Sequence, residues 1–246
     1  MIKIAIFVEG QTELIFIREL LLKMFDYQNI WVECYTLFTD SNFIPPEYSF
    51  PNHNAICYFQ VINAGNYNAV LKRLLNREQY LWNNGFHKIF GVRDMYSHNY
   101  REVVQNSTIS EEINFRFIEG AAKTIAEKAK NAQNIHFHFA IMEAEAWILG
   151  LKDCFKYLHD DLSATNISER LGFNLDKIDP EKFFFHPASI IQKIFELANK
   201  PYSKSKSDIN TIMSKIQKED FIELSQSEKC KSFNSFHQTL FSETTF

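Results

Sequence analysis

Three runs of apolar residues in this chain stop at carboxylates. Residues 2–8 are rich in Ile and Val and end at Glu9-Gly10. Residues 88–93 form a second compact run closed by Asp94, and 134–142 runs into Glu143-Ala144-Glu145. An acid at the end of a buried strand is costly unless something compensates its charge. Acids gathered together repel one another, so a cation is the natural compensation. A set of oxygen donors suits Mg²⁺ or Mn²⁺ rather than zinc. The chemistry expected of such a site is metal-assisted hydrolysis, in which a metal activates water and steadies the leaving oxygen.

Further residues bear on that site. Gly10 permits a tight turn out of the first strand, and Glu13, in the first turn of the helix that follows, stands close in sequence to Glu9. Glu13 is equally suited to complementing the helix dipole. Glu145 is the better ligand of its pair, because a regular helix points Glu143 elsewhere, as a solvated or helix-starting acid. Lys204 is a candidate to stabilise charge developing on phosphate, or else a solvated lysine in a stretch with Lys200 and Lys206. His136 and His138 share one side of a strand among Phe137 and Phe139 and read as core or edge histidines. Arg93 could meet a substrate phosphate or pair with an acid.

The elements that must position these residues are legible from periodicity. The first strand leads to a helix through about Met24, with Thr12 as its cap. A strand at 30–37, a loop with Pro45, Pro46 and Pro51, and a strand at 55–62 follow. A helix at 66–83, the strand at 88–93, a polar loop at 97–110, a helix at 111–132 and the strand at 134–142 complete the pattern. Alternation of this kind predicts an α/β fold with a mostly parallel sheet flanked by helices. In such sheets ligands gather at the carboxyl ends of the strands, where Glu9, Asp94 and Glu145 would meet. Beyond about Gly150 no strand is evident, and helices are expected at 187–199 and 204–218. The expected organisation is an α/β domain over 1–150 and a helical subdomain over 151–246 packed on it.

The segment Ile6-Phe7-Val8-Glu9-Gly10-Gln11-Thr12-Glu13 resembles the opening of Toprim (topoisomerase–primase) domains, in which a strand delivers a glutamate before a glycine turn. The chain is similar to small standalone Toprim proteins and to the overcoming-lysogenization-defect nucleases, many of them from phage-defence systems. The resemblance extends through Val92-Arg93-Asp94-Met95-Tyr96 and Glu143-Ala144-Glu145-Ala146-Trp147. It reaches Pro201-Tyr202-Ser203-Lys204 and Cys230-Lys231-Ser232-Phe233. It implies a Toprim-like fold and a metal-dependent endonuclease that cleaves DNA or RNA. Glu9, Asp94, Glu145 and Lys204 would be catalytic, and Glu9, Glu13, Asp94 and Glu145 would hold Mg²⁺ or Mn²⁺. It also implies antiviral defence with an ATPase partner of the ABC or AAA type. Self-association is a further expectation. One departure stands out: Tyr96 occupies the second position of the family's paired aspartate motif, which bears on whether one metal binds or two. A degenerate site in a binding or sensor subunit, and a Mg²⁺-dependent phosphatase, are the alternative readings.

Composition sets outer limits. The 246 residues carry a formal net charge of −4, which argues against coating nucleic acid by bulk electrostatics but leaves room for an enzyme acting on it. Hydrophobic residues make up 46%, and 24 Phe against 3 Trp predict a core rich in phenylalanine. Cys34, Cys57, Cys154 and Cys230 have neither the close spacing of a zinc site nor the density of a disulfide scaffold, so reduced, buried thiols are expected. No signal peptide or membrane span is evident, and a cytoplasmic location is expected.

Overall fold

A computed structural model describes residues 1–37, 43–44, 47–104 and 107–242. Its strands are β1 (Ile2–Val8), β2 (Ile30–Leu37), β3 (Phe43–Ile44), β4 (Cys57–Asn63), β5 (Lys88–Asp94) and β6 (Ile135–Ala140). They form one sheet in the order β3-β2-β4-β1-β5-β6, in which β3 alone runs antiparallel and the other five are parallel. The expected α/β architecture, a mostly parallel sheet flanked by helices, is therefore present. Prolines 45 and 46 of the expected loop lie outside the described residues.

The first half of the chain contributes helices α1 (Gln11–Met24), α2 (Tyr67–Asn83), α3 (His98–Val103) and α4 (Glu111–Lys128). After β6 come α5 (Glu145–Gly150), α6 (Asp153–Lys156), α7 (Ala164–Leu171), α8 (Pro180–Phe183), α9 (Pro187–Leu197), α10 (Lys206–Met213), α11 (Lys218–Gln226) and α12 (Lys231–Ser242). Among the described residues, no helix is long and apolar enough to cross a membrane.

The chain packs as two compact units. One comprises Met1–Arg93, Asn114–Phe139 and Thr239–Phe246; the other comprises Asp94–Ile113 and Ala140–Gln238. The units interleave along the chain, and residue 150, where the helical part was expected to begin, falls inside the second of them.

The first unit is built on β1, whose residues Ile4 to Val8 are wholly buried, so both faces of the strand are covered. Ala5 and Phe7 join Val70 and Leu74 of α2 and Ile125 of α4 in one apolar cluster, while α1 lies against β2 and β4. Val8 pairs with Val92 in parallel register, and Glu9 follows directly on β1. Gly91 is required by packing: a Cβ there would stand 2.4 Å from the Phe137 ring on β6. Phe90 stacks against His136 and His138, and burial lowers the His138 imidazole to about 4, which keeps it neutral in the sheet. All four cysteines are buried and free, with burial raising Cys34 to about 12.

Four local expectations need correction. The cap of α1 is Gly10, in extended conformation, and Thr12 lies buried inside the first turn. Glu13 reaches back to accept the Gly10 N–H at 2.8 Å, the carboxylate half of a capping box. The polar stretch 97–110 contains α3, capped by the Ser97 side chain on the Tyr100 amide. The helix expected over 204–218 is shorter: Ser205 caps α10, which ends at Met213, and Lys218 already opens α11. β6 stops at Ala140, two residues early, since Met142 turns into the left-handed region at φ 65°.

A candidate acidic site in the second unit

The site begins where β5 and β6 run out. Met95 donates its amide to the Ala140 carbonyl at 2.9 Å, and Tyr96 donates to Met142 at 2.6 Å, so pairing continues past both strands. The left-handed turn at Met142 then redirects the chain, at a cost of roughly 1–3 kcal/mol for a non-glycine residue. Asp94, buried, accepts the Ala144 amide on Oδ1 at 2.9 Å. The acid that closes β5 thus holds the entry to α5, whose first residue is Glu145.

Glu143 and Glu145 converge on one ammonium. Lys204 Nζ lies 2.9 Å from Oε1 of Glu145 and donates to Oε1 of Glu143 at 3.3 Å. Glu145 is 0% exposed, and the Lys204 ammonium 2.9 Å away is its counter-charge. The Lys204 side chain is 39% exposed, so this ammonium joins solvent to a buried acid. Its backbone is also left-handed, with φ 58°. Strain at both Met142 and Lys204 belongs to the segments that bring these charges together.

The electrostatics follow from that arrangement. Burial pushes the Glu145 carboxyl up; Lys204 opposes the rise and Glu143 adds to it. Partial burial pulls the Lys204 ammonium down, but Glu145 and Glu143, with Asp94 behind them, outweigh this and hold it above the usual lysine range. Three acids face one lysine, so the cluster is short of positive charge.

The remaining contacts belong to Glu143. Its Oε2 accepts the Ala188 amide in the first turn of α9 at 2.9 Å and meets His186 Nδ1 at 2.8 Å. The expectation of a solvated Glu143 is therefore corrected, because the turn at Met142 replaces the regular helix that would have pointed it outward. His186 was not singled out in the sequence; its signal is the His186-Pro187 pair that opens α9. Tyr96 packs its ring on His186 at 4.9 Å and on Phe185 at 5.6 Å, with the Arg101 guanidinium 5.3 Å over it.

Asp94, Glu145 and Lys204 of the expected set therefore share the second unit, while Glu9 and Glu13 belong to the first. There Glu13 is buried and closes the start of α1, and Glu9 is partly buried. Arg93 stacks over Tyr67 at 5.5 Å and Phe139 at 5.1 Å.

Trp147 and Ser232, both in motifs singled out above, meet through an acid the sequence did not flag. Glu181 accepts Trp147 Nε1 at 3.0 Å, the Ser232 amide at 3.1 Å and the Ser232 hydroxyl. Burial raises Glu181 to about 7 despite those bonds. Ser232 Oγ also accepts Trp147 Nε1 at 2.9 Å and the Ile141 amide at 3.3 Å, so this knot buttresses the β6–α5 connection.

The donor set fits a hard divalent cation: every acid is an oxygen donor, and Glu145 has buried oxygens without hydrogen bonds. Among the described residues, however, no three or more His, Cys, Asp or Glu stand in a metal-holding arrangement. As folded, the ammonium of Lys204 bridges Glu143 and Glu145.

A family model described as a domain of unknown function (DUF4276) matches residues 8–241, and the chain belongs to that family. No curated protein and no solved structure matches the chain.

Proposed function

We propose that this family member is a hydrolase that cleaves phosphodiester bonds of a nucleic acid with the help of Mg²⁺ or Mn²⁺. One observation carries the reading: Asp94, Glu143 and Glu145 are buried just past β5 and β6, and Glu143 and Glu145 both meet the Lys204 ammonium. Two unit charges about 4 Å apart interact by about 4 kcal/mol at an effective dielectric near 20. A phosphate diester, itself anionic, would be repelled by a site carrying more carboxylates than ammonium groups. A divalent cation would reverse that sign.

Asp94 and Glu145, both in the second unit, are the residues we assign to hold the cation. When bound, the metal supplies Lewis-acid polarisation of water and phosphate. Lys204, partly in solvent, would attract a non-bridging phosphate oxygen and stabilise charge as it grows there. Asp94 also fixes the Ala144 amide and so orients Glu145. The same resemblance supports a role in antiviral defence beside an ATPase of the ABC or AAA type.

A phosphatase acting on small esters would use the same charges, and a sensor subunit would use none of them. The deciding measurement is cleavage of plasmid DNA, single-stranded DNA and transfer RNA in Mg²⁺ or Mn²⁺ by the wild type, Glu9→Ala and Glu145→Gln. Metal-dependent cutting that both substitutions abolish is expected. A wild type that hydrolyses only monoesters would overturn the reading in favour of the phosphatase, and an inert one in favour of the sensor.

A further inference from the structure

We propose that His186 is the general base of the reaction and that Glu143 is its positioning residue; this rests on the phosphodiesterase reading above. Oε2 of Glu143 lies 2.8 Å from Nδ1 of His186. Two other neighbours of that carboxylate, the Ala188 N–H and the Lys204 ammonium, have only protons to offer. All three contacts are met at once when Glu143 accepts each of them and the imidazole donates from Nδ1. The neutral ring then carries its lone pair on Nε2.

Three features distinguish this ring from a histidine that merely supports a helix end. His186 is the cap residue of α9, yet its side chain makes no capping bond; Glu143 caps the helix at Ala188 instead. The imidazole is thereby released from local duty. Its side chain is 47% exposed, so it can meet a water molecule and a substrate. It is also held on two sides, by Glu143 at Nδ1 and by the Tyr96 ring at 4.9 Å. Tyr96 stands where the Toprim resemblance expects a second acid, and here it supports a histidine.

Lys204 and His186 are bonded to opposite oxygens of one carboxylate. A phosphate drawn to Lys204 would bring its phosphorus beside the imidazole. Water then gives a proton to Nε2 while its oxygen bonds to phosphorus. The P–O bond to the leaving nucleotide breaks with its electron pair on oxygen, and that oxygen takes the proton back from the imidazolium.

The test uses the full chain and two readouts. In ¹⁵N-labelled wild type, with His186→Gln to assign the signals, the neutral ring should carry its proton on Nδ1; a proton on Nε2 would overturn the proposed orientation. On plasmid DNA, single-stranded DNA and transfer RNA with Mg²⁺ or Mn²⁺, His186→Ala should lower kcat by roughly 10²- to 10⁴-fold with little change in KM. Added imidazole should restore part of the loss, which a merely structural role would not allow. Unchanged kcat, or a loss confined to KM, overturns the base and leaves the cleavage reading standing. A wild type inert on all three substrates overturns both.

Discussion

Lys204 reaches Glu145 across 59 positions of sequence, setting its Nζ 2.9 Å from an acid with no solvent access. Removing the lysine while keeping the acid leaves an uncompensated buried charge. Lys204→Met should therefore lose about 1–3 kcal/mol of stability, toward the lower figure because water screens the half-exposed ammonium. Lys204→Met with Glu145→Gln should recover most of that loss, yet neither variant should cleave at better than about a hundredth of the wild-type rate. Urea unfolding midpoints for the four proteins of the cycle check the first claim. A double variant no more stable than Lys204→Met would refute the coupling.

Asp94 and Tyr96 lie two residues apart and should respond in opposite ways. Asp94→Asn keeps an acceptor for the Ala144 amide, so the fold should survive, but it removes charge where the proposed cation would bind. Activity should fall roughly a hundredfold or more. Tyr96→Phe keeps the ring on His186 and should retain most activity, since a phenol hydroxyl is a poor ligand for Mg²⁺ beside carboxylates. Tyr96→Asp should tighten metal binding, read as a lower Mg²⁺ concentration for half-maximal binding, while removing the ring that supports His186. Loss in Tyr96→Phe as deep as in Asp94→Asn would implicate the phenol in a covalent route, to be sought as a trapped protein–nucleic acid adduct.

Glu181 predicts a pH dependence of stability. Burial raises its folded value from about 4.5 to about 7, so the neutral acid is the form the fold prefers. Its contribution is fully present below about 4.5 and is lost as pH rises through about 7. At roughly 1.4 kcal/mol per unit, the swing is on the order of 3 kcal/mol. Glu181→Gln, which stays neutral, should flatten the decline of the unfolding midpoint between pH 5 and 8. Parallel curves for the two proteins would rule this out.

Gly91 and Phe137 offer a test confined to the first unit. Gly91→Ala puts a methyl group 2.4 Å from the ring and should cost about 1–3 kcal/mol. Shortening the ring with Phe137→Leu should relieve part of that loss in the double variant. Strict additivity of the two single losses in thermal unfolding would contradict the clash.

The strands and longer helices were readable because their signals are local. Apolar runs at 2–8, 30–37 and 88–93 became β1, β2 and β5, and the amphipathic stretch 66–83 became α2 within a residue. Misreadings arose where one short polar side chain decides the outcome. The Ser97 hydroxyl starts α3 in a stretch too polar to read as helix, and the break between α10 and α11 depends on Gln217 and Asp220.

At the candidate site, the sequence by itself determined the α/β fold class and Asp94 at a strand end, whereas Glu145, read as closing a strand, opens α5 five residues past β6. It also marked Lys204, through its resemblance motif. These follow from periodicity and short motifs, which need no knowledge of distant neighbours. Only the tertiary structure decided what the acids touch. Glu143 changed from a solvated acid to a buried one because a left-handed turn at Met142 aims it at partners 43 and 61 residues away. His186 and Glu181 acquired meaning the same way, through contacts that close long loops of chain. Such contacts form when helices pack, and no local pattern of residue types encodes which side chains will meet.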